Sequence, residues 1–181
     1  MDPQPVLTTD RLILRPFRME DAPDVQRLAG AEELAKTTLS IPHPYEDGMA
    51  EDWIAVQAER YEAQKEVHFA ITLKDGGTLI GDIRLVRITP GHHAELGFWV
   101  GLPYWGHGYC TEAGRVVLRY AFETLGLRRV HGAHLSNNPA SGRVLEKLGM
   151  KLEGVMRQHA QKWDKHYDIH LYGILRDEYV K

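Results

Sequence analysis

Chemistry concentrates in residues 102–113, Leu-Pro-Tyr-Trp-Gly-His-Gly-Tyr-Cys-Thr-Glu-Ala, where Gly106 and Gly108 lead from an apolar run into an amphipathic one. The first N–H groups of a helix have no carbonyl one turn behind them to bond, and the macrodipole adds about half a positive charge there. A glycine-stripped approach lets phosphate oxygens reach several of those donors together, so the segment reads as an anion site. Its G-x-G-x-x-T spacing lacks the third glycine of a dinucleotide fingerprint, and no Gly-Lys-Ser/Thr marks a P-loop. On the loop alone, a tight strand–helix turn that uses glycine for packing reads equally well. Cys110, the single cysteine, would need a histidine partner to act as a nucleophile, and loop packing is the simpler role. Ten histidines raise the question of a metal. His131 and His134 are three apart on a strand and so face opposite sides, while His166 and His170 fall in a hairpin, so no metal is expected.

These residues need a scaffold. Residues 11–16 form a short strand closed by Pro16, and residues 20–30 a helix with Pro23 early and Gly30 at its end. After an irregular stretch holding Pro42 and Pro44, apolar residues at Ala50, Trp53, Ile54, Ala58 and Tyr61 predict an amphipathic helix over 46–65. Residues 67–73 and 78–88 flank Lys74-Asp75-Gly76-Gly77 as a hairpin, and 94–100 is a strand broken by Gly97, a signal for a bulge or for room beside a neighbouring aromatic. A helix over 111–125 stops at Gly126, and a strand follows at 129–135. Asn138 and Pro139 supply the N-cap and first residue of a helix ending at Gly149. Residues 151–160 and 167–175 are strands joined through Lys162-Trp163-Asp164-Lys165. The order implies a mixed α/β domain whose sheet is covered on both faces.

With 181 residues and about 150 per domain, one domain over 1–181 is expected. Hydrophobic residues at 43% and charged residues at 26% exclude disorder, and a net charge of −3 gives no field for nucleic acid or an anionic membrane. No apolar run reaches the length of a membrane span, and Met-Asp-Pro-Gln-Pro has neither the basic start nor the apolar run of a signal peptide, so a cytoplasmic location is expected.

Two ordered motifs carry a resemblance. Trp105, Gly106, His107, Gly108, Tyr109 and Cys110 resemble the Gln/Arg-x-x-Gly-x-Gly/Ala pyrophosphate loop of the GNAT N-acetyltransferases, with Trp105 and Cys110 departing from its ends. The aromatic start, followed by Thr111-Glu112-Ala113, is similar to the RimJ/RimL branch, which acetylates N-termini of ribosomal proteins. Asn138-Pro139-Ala140-Ser141 and Val144 through Met150 are similar to the same branch's second motif. The likeness runs from Thr9-Asp10-Arg11 to Tyr172-Gly173. It implies a GNAT-like fold: a largely antiparallel sheet with splayed fourth and fifth strands of the family core and helices on both faces.

Acyl transfer from a thioester to an amine needs an anchored donor, a deprotonated amine, donors for the oxyanion and an acid for the leaving thiolate. The resemblance places acetyl-CoA as cosubstrate. Its pyrophosphate would lie on backbone N–H groups from Gly106 to Thr111 with the Thr111 hydroxyl, beside His107 and Tyr109, and its pantetheine on Gly97, Phe98 and Asn138. His107 also reads as a solvated loop histidine. Glu95 is a candidate general base, since a carboxylate near a partly dry pocket can rise toward neutrality. It is otherwise an exposed strand carboxylate, with His92, His93 and His134 as competitors. The family's tyrosine acid falls at Leu145, and Ser141 replaces it in RimJ/RimL-like proteins, or serves only as an early-helix residue. Acids between Glu32 and Asp52 form either a rim for a cationic amine or a solvated face. Trp53, Tyr61 and Trp163 are candidate groove aromatics, Trp53 and Tyr61 lying on the apolar stripe. The reading is direct acetyl transfer to a primary amine, with a protein N-terminal α-amine as one acceptor. A small-molecule acetyltransferase for a polyamine, aminoglycoside or amino-acid derivative stays open, as does a noncatalytic acyl-CoA-binding module. A homodimer is implied only by the branch.

Overall fold

A computed structural model of the protein describes residues 3–179. One eight-stranded sheet runs in the order β1-β2-β3-β4-β5-β6-β8-β7. Its strands are β1 (Leu7–Thr8), β2 (Leu12–Arg15), β3 (Val67–Leu73), β4 (Leu79–Thr89), β5 (His93–Val100), β6 (Arg129–Leu135), β7 (Lys151–Lys162) and β8 (Lys165–Leu175). Every neighbouring pair is antiparallel except β5 and β6. The expected mixed, largely antiparallel fold is therefore present. β5 and β6 pair from His93 with Arg129 to Glu95 with His131 and no further, although both strands continue. Past that point they diverge, which is the expected splay.

Helices α1 (Ala22–Ala29), α2 (Glu32–Thr37), α3 (Met49–Ala55) and α4 (Gln57–Glu62) precede β3, while α5 (Tyr109–Arg119) and α6 (Pro139–Lys147) follow β5 and β6. Strand alternation divides the core in two. On one face Leu12, Phe69, Ile83, Leu85 and Leu96 pack with Val117, Leu118 and Leu145 of α5 and α6. On the other, Ala70 and Trp99 pack with Val25, Leu28, Leu34 and Ile54 of α1, α2 and α3. Two parallel strands, each followed by a helix, put the N-termini of α5 and α6 beside the splay, the usual place for a ligand crevice in such sheets.

Several expectations need correction. Residues 46–65 are two helices, because α3 packs on α1 while α4 turns toward β3. The irregular stretch before them contains α2, anchored by buried Leu34 and Ala35. The helix expected at 111 starts at Tyr109, and a π-helical turn over Tyr120–Thr124 continues it. The closing strands reach Lys162 and Lys165, leaving Trp163 and Asp164 as the turn. Gly97 is not a bulge: it pairs in register with Arg84, and the irregularity lies on β4 between Val86 and Thr89, where Arg87 has a φ of +52°.

Candidate active site

Gly106 and Gly108 adopt φ values of +78° and +80°, a region closed to most side chains, and this bends the chain from the end of β5 into α5. Gly106, His107 and Gly108 are exposed, so their backbone faces solvent at the helix N-terminus. The Trp105 indole donates to the Val100 carbonyl at 2.7 Å and pins the loop to the strand end. His107 Nδ1 contacts the Trp105 carbonyl at 2.8 Å, and its ring stacks on Tyr109 at 5.6 Å. Cys110 is half-buried against the core, and burial pushes its thiol up to about 12. A thiol so raised fits a packing role better than a nucleophilic one.

Sequence reasoning gave no role to the clamp behind this loop. Glu112, in the first turn of α5, accepts from the Thr9 hydroxyl at 2.6 Å, the Arg11 backbone N–H at 3.0 Å and Arg11 Nε at 2.7 Å. Burial would raise its carboxyl, but these bonds and the Arg11 charge hold it below the usual carboxylate value. Arg11 also donates to the His107 carbonyl at 3.1 Å and lies 4.6 Å over the Tyr109 ring. The start of β2 thus places a guanidinium beside the glycine loop. Thr9 and Arg11 were visible only as a strand start, because their partner is about a hundred residues away.

On the other side of the splay, Asn138 caps α6 by accepting from the Ser141 N–H at 3.2 Å, and its amide donates to the Thr37 carbonyl at 3.0 Å. Ser141 is partly exposed in the first turn. Leu145 is in the core, where it cannot act as an acid. His134 lies against α6 at Gly142 and bonds the Leu135 carbonyl through Nδ1 at 2.8 Å; burial lowers its pKa. Glu95 and His131 face the opposite side of the sheet from His134.

Glu95 lines a groove of about 610 Å³ between the sheet and α1, α3 and the 39–42 loop. Arg87 forms an ion pair with it, and His131 Nε2 is 3.9 Å away. Burial lowers the His131 pKa, so that ring tends to the neutral form. His92 and His93 are in contact through their Nδ1 atoms at 2.8 Å, and His93 tilts against His131. Gly97 and Phe98 are partly exposed between buried Leu96 and Trp99. Trp53 lines the groove, edge-on to Phe17 and His68. Tyr61 lies elsewhere, in a cavity with Pro3, Phe17 and Gln57. Trp163 is exposed at the β7–β8 turn, near His43 and Lys162. Buried Lys162 donates to the Ile41 carbonyl at 2.6 Å and so ties that hairpin to the groove wall. Among the candidate rim acids, Asp52 lines the groove, whereas Glu32 pairs with Lys36 and Asp47 accepts from Gln26.

The arrangement offers an exposed glycine loop at a helix N-terminus, a splayed strand pair and a groove with a carboxylate. Among the described residues, no cluster of three or more His, Cys, Asp or Glu side chains is arranged to hold a metal ion. No helix is long and apolar enough to cross a membrane. Residues 11–151 match the Acetyltransferase (GNAT) domain family. Uncharacterized N-acetyltransferase YoaA of Bacillus subtilis is 30% identical over 173 residues, covering 95% of this chain and 97% of its own. The ribosomal protein uS5-alanine N-acetyltransferase of Escherichia coli is 27% identical over 165 residues, covering 87% of this chain and 84% of its own. The solved structure of RimL, the ribosomal L7/L12 alpha-N-protein acetyltransferase in complex with coenzyme A, superposes with a TM-score of 0.85 at 17% identity, covering 96% of this chain and 99% of that one. It shares the fold.

Proposed function

The chain belongs to the GNAT acetyltransferase family, an acetyl-CoA-dependent N-acetyltransferase by that membership, and from this premise we propose direct transfer of the acetyl group to the primary α-amine of an amino acid or of a protein N-terminus. The observation that supports it most is the placement of the exposed Gly106–Gly108 backbone and the α5 N-terminus at one end of the β5–β6 splay, with the Glu95 groove on the sheet face beside it. We also read residues 1–181 as one catalytic domain.

Acetyl-coenzyme A, the cosubstrate, would supply the acetyl thioester, with coenzyme A leaving as its thiolate. The chain's residues bind, orient and move protons. Backbone N–H groups from Gly106 to Thr111 and the Thr111 hydroxyl hold the pyrophosphate, with Trp105, His107, Tyr109 and Cys110 shaping the loop. Gly97, Phe98 and Asn138 flank the pantetheine arm in the splay. Glu95, oriented by Arg87, takes the proton from the amine as the C–N bond forms and the C–S bond breaks. Ser141 gives its hydroxyl proton to the thiolate as solvent water returns one to it, at a helix N-terminus that favours developing negative charge, and Glu95 releases the amine proton to solvent.

The test is calorimetry with coenzyme A, followed by thiol release from acetyl-CoA over a panel of amines and N-terminal peptides. Gly108→Glu puts a carboxylate and a strained φ at the loop, and we expect coenzyme A binding to be lost while the fold is retained by circular dichroism. Wild-type affinity in that variant overturns the loop assignment, and binding without transfer to any amine overturns the enzyme reading.

A further inference from the structure

We propose that Arg84 selects the acceptor by binding a carboxylate carried close to the reacting amine. This rests on the acetyltransferase reading above and narrows its substrate class.

His68, Arg84 and Gly97 stand side by side on β3, β4 and β5, on the face that lines the groove. Gly97 leaves the space that a side chain would fill, and Arg84 occupies it: its Nε, Cζ and second terminal nitrogen lie 3.0, 3.2 and 3.3 Å from where a Cβ would stand. The guanidinium is thereby laid across β5 where that strand leaves β6. Its other terminal nitrogen forms an ion pair with Asp82, a fully buried carboxylate. Asp82 is shared, since its second oxygen lies 3.4 Å from His68 Nδ1.

One edge of the guanidinium is thus fixed and the other, Nε with the second terminal nitrogen, is bonded to no acceptor among the described residues. Two parallel N–H groups on a held guanidinium match a carboxylate bidentately. The Asp82 pair holds that fork in place before any ligand arrives, so little orientational freedom is lost on binding. Glu95 is the diagonal neighbour of Arg84 across β4 and β5, roughly 7–8 Å away at the backbone. An acceptor held by both places its carboxylate on Arg84 and its amine toward Glu95, only a few bonds apart. That describes an α-amino acid, or a peptide whose first residue is Asp or Glu. A polyamine would instead bring a second cation against a guanidinium.

The experiment compares kcat/KM for matched acceptors. One arm uses free α-amino acids against their α-amides; the other uses tripeptides beginning with Asp or Glu against those beginning with Asn or Gln. We expect the acid to be favoured by roughly 10- to 100-fold in one arm, the range of a hydrogen bond to a charged group, and the arm identifies the source of the carboxylate. Arg84→Lys keeps a cation for Asp82 but loses the fork, and the ratio should fall to about 1–3. Equal rates in both arms, or a preference that survives Arg84→Lys, overturn the proposal. If no amine is acetylated, the enzyme reading fails separately. The carboxylate site is then decided by calorimetry on the coenzyme A complex with N-acetylaspartate and its diamide: stronger binding of the acid supports it, and equal binding overturns it.

Discussion

Glu95, the proposed general base, lines the groove and pairs with Arg87. Glu95→Gln keeps the size and removes the carboxylate, so if Glu95 is the base kcat should fall by roughly 100- to 10,000-fold while coenzyme A affinity stays at the wild-type value. Steady-state rates with calorimetry check this. An unchanged pH–rate profile in the variant would transfer the base role to another group, with His131 the nearest alternative at 3.9 Å. Gly97 teaches a different lesson at this scale. A glycine inside a strand reports missing volume, and sequence does not say what fills it; here the filler is the Arg84 guanidinium. The signal for Arg84 was Asp82 and Arg84 two apart in an apolar strand, which places opposite charges on one face.

At the scale of elements, α5 is clamped to the start of β2, which fixes the position of the proposed pyrophosphate loop. Glu112→Ala removes the acceptor for Thr9 and Arg11 and frees the first turn of α5. We expect a loss of about 1 kcal/mol in stability, small because Arg11 is half exposed, and a several-fold weaker coenzyme A affinity, read by thermal unfolding and calorimetry. A stability loss with unchanged affinity would make the clamp structural only. Elements with strong periodicity or end signals were legible: the Asn138 cap appears where the pattern put it, and α5 and the strand runs do so apart from shifts of a few residues at their ends. The 46–65 segment was not. Its apolar spacing suits one helix, but the break at Val56 follows from α3 and α4 having different partners, which no local pattern encodes.

Across the whole molecule, an ion network links the end of α4 to the middle of the sheet. Arg60 bonds Glu66 at 2.9 Å, Glu66 contacts His68 at 3.1 Å, and His68 faces Asp82, the partner of Arg84. The His68 hydrogen bond, with Arg60 behind it and against the effect of burial, holds the Glu66 carboxyl at about 2, below its ordinary 4.5. Burial lowers the His68 pKa, yet Asp82 and Glu66 outweigh it and leave the imidazole above its ordinary 6.5. For Glu66 the unfolded chain takes up its proton first, so its contribution is present above pH 4.5 and is lost as pH falls toward 2. For His68 the contribution is complete below 6.5 and fades as pH rises through the raised value. Thermal unfolding should therefore show the network's greatest effect between pH 4.5 and 6.5, and Glu66→Gln should flatten the acid limb. Parallel curves for wild type and variant would refute that contribution.

Residue order alone determined most strands, the α5 helix, the glycine turn before it and the α6 cap, because helix ends, left-handed glycines and apolar periodicity depend on neighbours within a few positions. It also carried the family likeness, whose two motifs each lie within about a dozen residues. Tertiary structure decided the rest: that Arg11 reaches Glu112, that Arg84 crosses Gly97, and that Glu95 and His134 sit on opposite faces. Those facts depend on strand order and register, and a shift of one residue in register would send each of these side chains to the other side of the sheet.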